Sequence, residues 1–164
     1  MKQIKRADLH MHSTFADGVE EPEELVVRAK NNGVELISLT DHDETGGLER
    51  MRAAAAQHGL QFVNGVEISA DYGEVSIHVV GLDFDPEDEM LQALLSRIRD
   101  NRFERAVQMA EKLEKLGMKG VWEGVLKIVT NPRLIGRPHF AAWLAQNGYV
   151  EDYNACLLYT SPSP

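Results

Sequence analysis

Residues 34–43 have the sequence VELISLTDHD, in which a compact, mainly apolar run is followed at once by Asp41, His42 and Asp43. An apolar run of this length is typical of a strand buried in a parallel sheet. Barrel-like α/β folds build their active sites at the carboxyl ends of such strands. The stretch therefore predicts an α/β fold with metal-binding or catalytic side chains directly after one of its strands.

Strand patterns and helix patterns alternate on both sides of this stretch. The helix before it has Pro22 in its first turn and Gly33 after its end, which are the usual positions of these residues. The predicted strands are residues 5–10, 34–39, 60–68 and 74–84, and the predicted helices are residues 22–32 and 47–58. This order predicts right-handed βαβ units and a parallel sheet.

The chain after Pro86 is mainly helical. Apolar residues recur there at helical spacing, and the predicted helices are residues 87–116, 121–129 and 137–146. We therefore predict a first part of a barrel at residues 1–86 and a helical insertion at residues 87–155. The last nine residues, CLLYTSPSP, have no charge and contain the single cysteine, so residues 156–164 are predicted to be a non-native or disordered tail.

The composition limits the class of protein. The chain has 164 residues, of which 43% are hydrophobic and 26% charged, as in an ordinary globular domain. No apolar run reaches the roughly 18 residues that a membrane helix needs. No signal-peptide pattern opens the chain, so we expect a cytoplasmic location. The single cysteine, Cys156, excludes an intrachain disulfide and a zinc finger.

The net charge of the chain is −9, from 17 Lys and Arg against 26 Asp and Glu. This balance argues against broad electrostatic binding to a nucleic-acid backbone, and we expect no stable binding of duplex nucleic acid. It leaves a phosphate substrate open, because bound metal ions can reverse the local sign of a site.

Side chains that bind metals fall on or just after all four predicted strands. His10 and His12 are two residues apart, so on a strand both imidazoles would face the same side and could bind one ion. Glu67 is costly to bury in an apolar strand without a partner. Six residues together favour a multinuclear metal site: His10, His12, Asp17, His42, Glu67 and His78.

Several of these residues also have a purely structural interpretation when taken singly. Asp17 could be a turn residue beside Gly18. Asp41 and Asp43 could each be the N-cap of the following helix. A lone histidine on a strand is more often a hydrogen-bonded structural residue than a ligand, so the prediction of a metal site depends on the set rather than on one member.

The motifs DLHMHS (8–13), LTDHD (39–43), GVEIS (65–69) and IHVVG (77–81) resemble the PHP family, the polymerase and histidinol phosphatase metal-dependent phosphoesterases. The resemblance covers nearly all of residues 4–85 and continues through IGRPHFA at residues 135–141. This last motif resembles the TrpH-like, RNase AM-like branch, whose members remove phosphate from nucleotides and trim short RNA from its 5′ end.

The resemblance implies an α/β fold, namely the N-terminal part of a distorted (β/α)7 PHP barrel with a helical insertion. It also implies up to three divalent metal ions, which could be Mn, Zn or Fe. Glu67 would bridge two of the ions. The first ion would be held by His10 and His12, the second by His78, and the third by Asp17 and His42.

Three further residues gain roles from the resemblance. Asp41 would orient a metal-bound side chain, as metal-bound histidines usually require. Arg137 would bind substrate phosphate by charge-assisted hydrogen bonds. His139 would contact the phosphate or serve the leaving group. The structural alternative is a helix start in which Arg137 is solvated.

One departure from the family pattern concerns the later ligands. The family completes its site with a later histidine and an Asp-x-His near the C-terminus, whereas no histidine follows His139 here. A complete barrel also needs a longer chain, since about 250 residues is typical of an eightfold one. We therefore expect an N-terminal fragment with four of seven strands and an unpaired sheet edge, whose activity alone stays open.

These observations predict a metal-dependent phosphoesterase that uses a metal-activated hydroxide. The expected partner is a phosphorylated nucleotide or a short oligoribonucleotide, with no membrane. One alternative is a histidinol-phosphate phosphatase or the PHP module of a DNA polymerase. A second is a non-catalytic metal-binding fragment, and a third is an unrelated metal hydrolase such as an amidohydrolase.

Overall fold

The computed structural model of the chain describes residues 4–73, 75–129 and 131–150. The chain divides into two compact units, one up to residue 98 and one from residue 99 onward. The boundary expected near residue 86 stays a prediction. The predicted tail at residues 156–164 lies outside the described residues.

The described residues contain four strands and five α-helices, close to the predicted positions. In chain order the elements are β1 (Ala7–Asp8), α1 (Pro22–Asn31), β2 (Leu36–Leu39), α2 (Leu48–His58), β3 (Gln61–Tyr72), β4 (Val75–Leu82), α3 (Glu89–Lys115), α4 (Val121–Leu126), a single 3-10 turn (Pro132–Leu134) and α5 (Arg137–Gln146). The predicted α/β class is confirmed.

The first three strands form the predicted parallel sheet, in the order β1-β2-β3. The fourth strand departs from the prediction, because β3 and β4 pair antiparallel from Gly65↔Leu82 to Tyr72↔Val75. A parallel neighbour would need a crossover of a dozen or more residues, and only two residues separate these strands. The predicted parallel sheet is therefore confirmed for β1, β2 and β3 and does not extend to β4.

The long strand β3 changes its pairing partner at Gly65. Its first four residues pair with β2, ending at the pair Leu39↔Asn64, and the residues from Gly65 onward pair with β4. A Cβ atom at Gly65 would lie 2.1 Å from Ser38 Oγ and 2.6 Å from Leu39 O. Only glycine permits this close approach, so Gly65 keeps β3 against β2 at the point where the pairing changes.

The apolar face of the sheet packs against α1 and α2. In β2, Ile37 and Leu39 point to this face and are fully buried, together with Met51 of α2. Burial of one such large side chain contributes roughly 1.5–3 kcal/mol. Because side chains alternate along a strand, Ser38 points to the opposite face, which is also the face of Glu67 further along β3.

The second unit is helical and has its own apolar core. Its buried residues include Val121, Val125, Phe140, Trp143 and Leu144. A Cβ atom at Gly124 would lie 1.8 Å from Trp143 Nε1, so this glycine allows α4 and α5 to pack closely. Across the described part of the chain, no helix has both the length and the apolarity to cross a membrane.

Substitution of Gly65 by alanine should destabilise the sheet. The new methyl group would meet Ser38 Oγ and the backbone of β2 at distances that real contacts do not reach, so the free energy of unfolding should fall by about 1–3 kcal/mol or more. The matched control is Gly81→Ala on β4, whose Cβ would meet Val66 Cγ1 at an ordinary 3.5 Å. Urea unfolding monitored by circular dichroism measures both, and equal losses would contradict the packing argument.

Candidate metal centre

His10 and His12 lie in the segment after β1. The strand ends at Asp8, so the expectation that both histidines share one face of a strand is wrong. The segment is held against the end of β2 because the Thr40 N–H donates to Met11 O at 2.8 Å. The two imidazoles nevertheless lie together, with ring centroids 5.0 Å apart. Irregular backbone after β1 therefore brings the two imidazoles together, which the prediction had attributed to the alternation of side chains along a strand.

His42 is brought beside Glu67 by main-chain pairing beyond the end of β2. The two residues form an isolated parallel bridge. In it the Glu67 N–H donates to Asp41 O at 3.2 Å, and the Asp43 N–H donates to Glu67 O at 2.9 Å. Main-chain hydrogen bonds thus fix the position of His42 relative to Glu67 without any contribution from side chains.

His78 reaches the same carboxylate from the hairpin. In the register of β3 and β4, Glu67 lies opposite Val80 and His78 lies opposite Ser69. Glu67 and His78 are therefore diagonal neighbours on one face of the hairpin. The Nδ1 atom of His78 lies 2.9 Å from Oε1 of Glu67.

Glu67 is the centre of the cluster, and its side chain is only 7% exposed. Oε2 lies 2.7 Å from Nε2 of His10 and 3.1 Å from Nε2 of His12, whereas Oε1 faces His78. Burial raises the pKa of Glu67, but the surrounding imidazoles outweigh burial, so the pKa lies below its usual value. The opposing contributions come from His10, His42 and His78. Glu67 is thus a buried carboxylate whose two oxygens face different histidines.

Asp17 lies on the other side of His12 and His42. Its Oδ1 is 3.7 Å from Nδ1 of His12, and its Oδ2 is 3.7 Å from Nε2 of His42. Asp17 is carried by a tight turn, closed by the bond from the Gly18 N–H to Ser13 O at 3.0 Å. A Cβ atom at Gly18 would lie 2.2 Å from His12 O, so the turn requires glycine.

All six predicted ligands come together in the structure. They form three overlapping groups that could hold a metal ion: His10 with His12 and Glu67; His12 with Asp17 and His42; and His42 with Glu67 and His78. Within each group the candidate ligand atoms lie within 4.8 Å of one another. The groups contain the residue pairs that the resemblance assigned to single ions, with His12 and His42 each in two groups, and the assignment of residues to ions stays a prediction.

The donor set fits divalent metal ions. The Nδ1 atom of His12 is buried and makes no hydrogen bond to the described residues, because Asp17 is too distant at 3.7 Å. A buried imidazole nitrogen that faces a carboxylate across a gap of this size suits a cation between them. Mixed imidazole and carboxylate ligands suit Zn, Mn or Fe better than Ca.

Asp41 is buried and acts on the backbone beside His12. Its Oδ1 accepts a bond from the Ser13 N–H and its Oδ2 a bond from the Ser13 hydroxyl, both at 2.6 Å. Burial raises the pKa of Asp41 to about 6, while the two bonds from Ser13 oppose the rise. Ser13 is absent from the predicted site residues, although its place directly after the two histidines is a usable signal.

The N-cap interpretation of Asp41 and Asp43 is wrong, because the residue that caps α2 is Gly47. Both aspartates lie in the connection from β2 to α2 and are fully buried. Each bonds the backbone of a segment that carries or adjoins the cluster, since Asp41 accepts from Ser13 and Asp43 accepts from the Ser69 N–H at 2.7 Å.

Arg137 and His139 lie in the first turn of α5, in the second unit. Arg137 is exposed and His139 is half-buried. The Gly136 N–H donates to Nδ1 of His139 at 3.1 Å, which caps the helix and orients the ring. The roles of these residues towards a substrate stay predictions.

Comparison with known proteins supports the predicted family. Residues 8–158 match the PHP domain. A 3′,5′-nucleoside bisphosphate phosphatase of Chromobacterium violaceum is 46% identical over 145 residues, which are 88% of this chain and 51% of that protein. A 5′-3′ exoribonuclease of Haemophilus influenzae is 39% identical over 148 residues, which are 90% of this chain and 53% of that protein. The chain spans about half the length of these relatives.

Solved structures give the same picture. An amidohydrolase of Chromobacterium violaceum, solved with bound sulfate and no metal, is 43% identical with a TM-score of 0.84 over 93% of this chain and 54% of that one. A putative metal-dependent phosphoesterase of Bifidobacterium adolescentis is 30% identical with a TM-score of 0.83 over 98% of this chain and 59% of that one. The predicted fold class, part of a PHP barrel, is confirmed by this similarity.

Substitution of Ser13 by alanine should destabilise the chain more at pH 8 than at pH 4.5. With a pKa of about 6, Asp41 is charged in the folded chain at the higher pH and mainly protonated at the lower one. Loss of a hydrogen bond to the charged form should cost about 1.5–3 kcal/mol, and loss of one to the neutral form about 0.5–1.5 kcal/mol. Urea unfolding in the presence of a chelator measures the difference.

The matched control is Ser38→Ala. Ser38 is as buried as Ser13, but its hydroxyl makes no hydrogen bond to the described residues. Its removal should leave the stability nearly unchanged at both pH values. If Ser13→Ala had the same cost at pH 4.5 and pH 8, the bond to the Asp41 carboxylate would not be its main contribution.

Proposed function

This chain belongs to the PHP domain family, and from that premise we propose that it forms part of a metal-dependent hydrolase of phosphate esters. The observation that carries the proposal is the buried Glu67, whose Oε2 faces His10 and His12 while its Oε1 faces His78. A carboxylate arranged in this way suits a bridging position between two cations. No serine or cysteine nucleophile is needed for such chemistry.

The proposed ligands follow from the three groups. Glu67 Oε2 would bind one ion together with His10 and His12, and Oε1 a second ion together with His78. A third ion would lie between Asp17 and His42, and we propose Mn, Zn or Fe for all three. When bound, such ions lower the pKa of a water molecule and stabilise negative charge on phosphate oxygens.

The protein groups around the ligands have separate tasks in this proposal. Asp41 holds Ser13 by two bonds and so keeps the backbone that carries His12 in place. Arg137 would bind the substrate phosphate as a charge-assisted donor. Because Nδ1 of His139 accepts a bond from Gly136, the proton of a neutral His139 lies on Nε2. This proton is the one that His139 could donate to the phosphate or to the leaving-group oxygen.

The proposed substrate is a phosphorylated nucleotide or a short oligoribonucleotide, as the names of the two relatives suggest. The distribution of charge supports a small anionic substrate. Residues 1–98 have eight Lys and Arg against nineteen Asp and Glu, whereas residues 99–164 have nine against seven. The net charge is therefore 8 − 19 = −11 in residues 1–98 and 9 − 7 = +2 in residues 99–164, so the excess of cationic side chains that could bind phosphate lies in the mainly helical part of the chain. We propose a cytoplasmic location, where such substrates occur.

Other functions remain as outcomes of the test. A metal-dependent amide hydrolase, suggested by the solved relative from Chromobacterium violaceum, would bind metal and release no phosphate. A non-catalytic metal-binding module would do the same on every substrate. A histidinol-phosphate phosphatase would release phosphate from that ester in preference to nucleotides.

The direct test is metal content by elemental analysis, combined with phosphate release from nucleotides by the full-length protein and its Glu67→Gln variant. The variant keeps the shape of the side chain but loses the negative charge that would bridge the ions. We expect metal affinity to fall by more than the roughly 10- to 100-fold that loss of a residue supporting a ligand costs, and turnover by at least as much. The control is Glu49→Gln, whose side chain is 89% exposed on α2. Full activity of Glu67→Gln would remove the bridging role.

Substitution of Arg137 by alanine should raise KM for phosphomonoesters. Loss of a charge-assisted hydrogen bond worth about 1.5–3 kcal/mol corresponds to an increase in KM of roughly 10- to 150-fold. Steady-state kinetics of the full-length protein measure the effect, with Lys112→Ala as the control, because Lys112 is exposed on α3. An unchanged KM would mean that Arg137 only begins the helix.

A further inference from the structure

Asp43 combines two properties that are each unfavourable for an aspartate. Its side chain is fully buried. Its backbone has φ = 53°, in the left-handed region that residues other than glycine rarely adopt. Glycine at this position would avoid both the strain and the buried carboxyl group. The carboxylate must therefore make contacts that compensate for its burial.

The contact follows from the geometry of parallel pairing. In the bridge between His42 and Glu67, the Glu67 N–H donates to Asp41 O and the Asp43 N–H donates to Glu67 O. Regular parallel pairing would continue with a bond from the Ser69 N–H to the main-chain carbonyl of Asp43. In the structure the Ser69 N–H donates instead to Oδ1 of Asp43, at 2.7 Å.

We propose that Asp43 is a positioning residue, whose carboxylate replaces its own main-chain carbonyl in the pairing with β3. The left-handed turn directs the chain away from the sheet towards α2. The side chain then supplies the acceptor that the turn has removed. The pairing between segment 41–43 and β3 thus includes one hydrogen bond, to Ser69, that the main chain of the segment does not supply.

The bond between Ser69 and Asp43 supports the positions of both Glu67 and His78 in the candidate metal centre. The Glu67 N–H donates to the main-chain carbonyl of Asp41, and two residues further along β3 the Ser69 N–H donates to the side chain of Asp43. Ser69 is also the residue opposite His78 in the hairpin. The bond therefore fixes the stretch of β3 that carries Glu67 and pairs with His78 of β4, whose Nδ1 lies 2.9 Å from Oε1 of Glu67.

Two other roles for Asp43 fit the structure less well. As a ligand it would need to join the groups that could hold a metal ion, and within the described residues those groups do not include it. As a simple turn former it would be inferior to glycine, which adopts φ = 53° without strain. Positioning through Ser69 explains why this position carries a side-chain oxygen acceptor rather than glycine.

Two variants separate these roles. Asp43→Asn keeps an oxygen acceptor for the Ser69 N–H, and asparagine tolerates the left-handed region. Asp43→Gly suits the backbone but has no acceptor. Two quantities are measured on the chain: amide hydrogen exchange of Ser69 by NMR without metal, and affinity for Mn²⁺ by calorimetry. The first does not depend on the proposed function, whereas the second rests on it.

We expect Asp43→Asn to resemble the unaltered chain in both measurements. In Asp43→Gly, exchange of the Ser69 amide should accelerate by at least about 10-fold, and Mn²⁺ affinity should fall about 10- to 100-fold, without loss of thermal stability. The matched control is Asp83→Gly, because Asp83 is also left-handed, with φ = 57°, but is exposed and outside the metal groups. It should leave Mn²⁺ affinity unchanged.

Two results would overturn the proposal. If Asp43→Gly left Ser69 exchange and Mn²⁺ affinity unchanged, the carboxylate would not be needed. If Asp43→Asn lost as much affinity as Asp43→Gly, the charge rather than the acceptor would matter. If the unaltered chain bound no Mn²⁺, a Mn²⁺ site within this chain would be excluded, and the exchange of the Ser69 amide alone would decide the role of Asp43.

Discussion

The structure of the candidate centre depends on the burial of one carboxylate, that of Glu67. A carboxylate in an apolar strand is strongly destabilising unless charged or hydrogen-bonding groups surround it. Here the compensation comes from imidazoles delivered by three different segments, with His10 and His78 in hydrogen-bonding distance of opposite oxygens. The two carboxylate oxygens of Glu67 therefore constrain the position of each segment, and this shared constraint sets the geometry of the cluster.

The main chain carries most of this constraint. Glu67 and His42 are joined by backbone bonds, and the buried aspartates on either side of His42 bond the backbone of the flanking segments. Asp41 fixes the segment after β1, and Asp43 fixes β3 beyond the parallel pairing. Buried acidic side chains thus take the place of regular strand pairing beyond the ends of β1 and β2, which places irregular backbone accurately beside the candidate metal centre.

The sequence predicted the members of the cluster better than the way in which they meet. Ligand types could be chosen from residue chemistry, and the bounds of α5 agree with the prediction because Pro138 and Gly148 mark its ends. The strand assignment of His10 failed because β1 has only two residues. The direction of β4 could have been inferred from the short connection, whereas the register that sets His78 opposite Ser69 depends on pairing between strands, which one sequence does not show.

The change of partner within β3 also has a consequence for how the cluster forms during folding. Glu67 and His78 are 11 residues apart and belong to one hairpin, which can close in roughly 1–10 μs. Glu67 and His10 are 57 residues apart, so their contact must await the docking of β1 and the two helices between them. The contact within the hairpin is therefore expected to form before the long-range contact, and a cation that arrived early would meet only part of the proposed ligands.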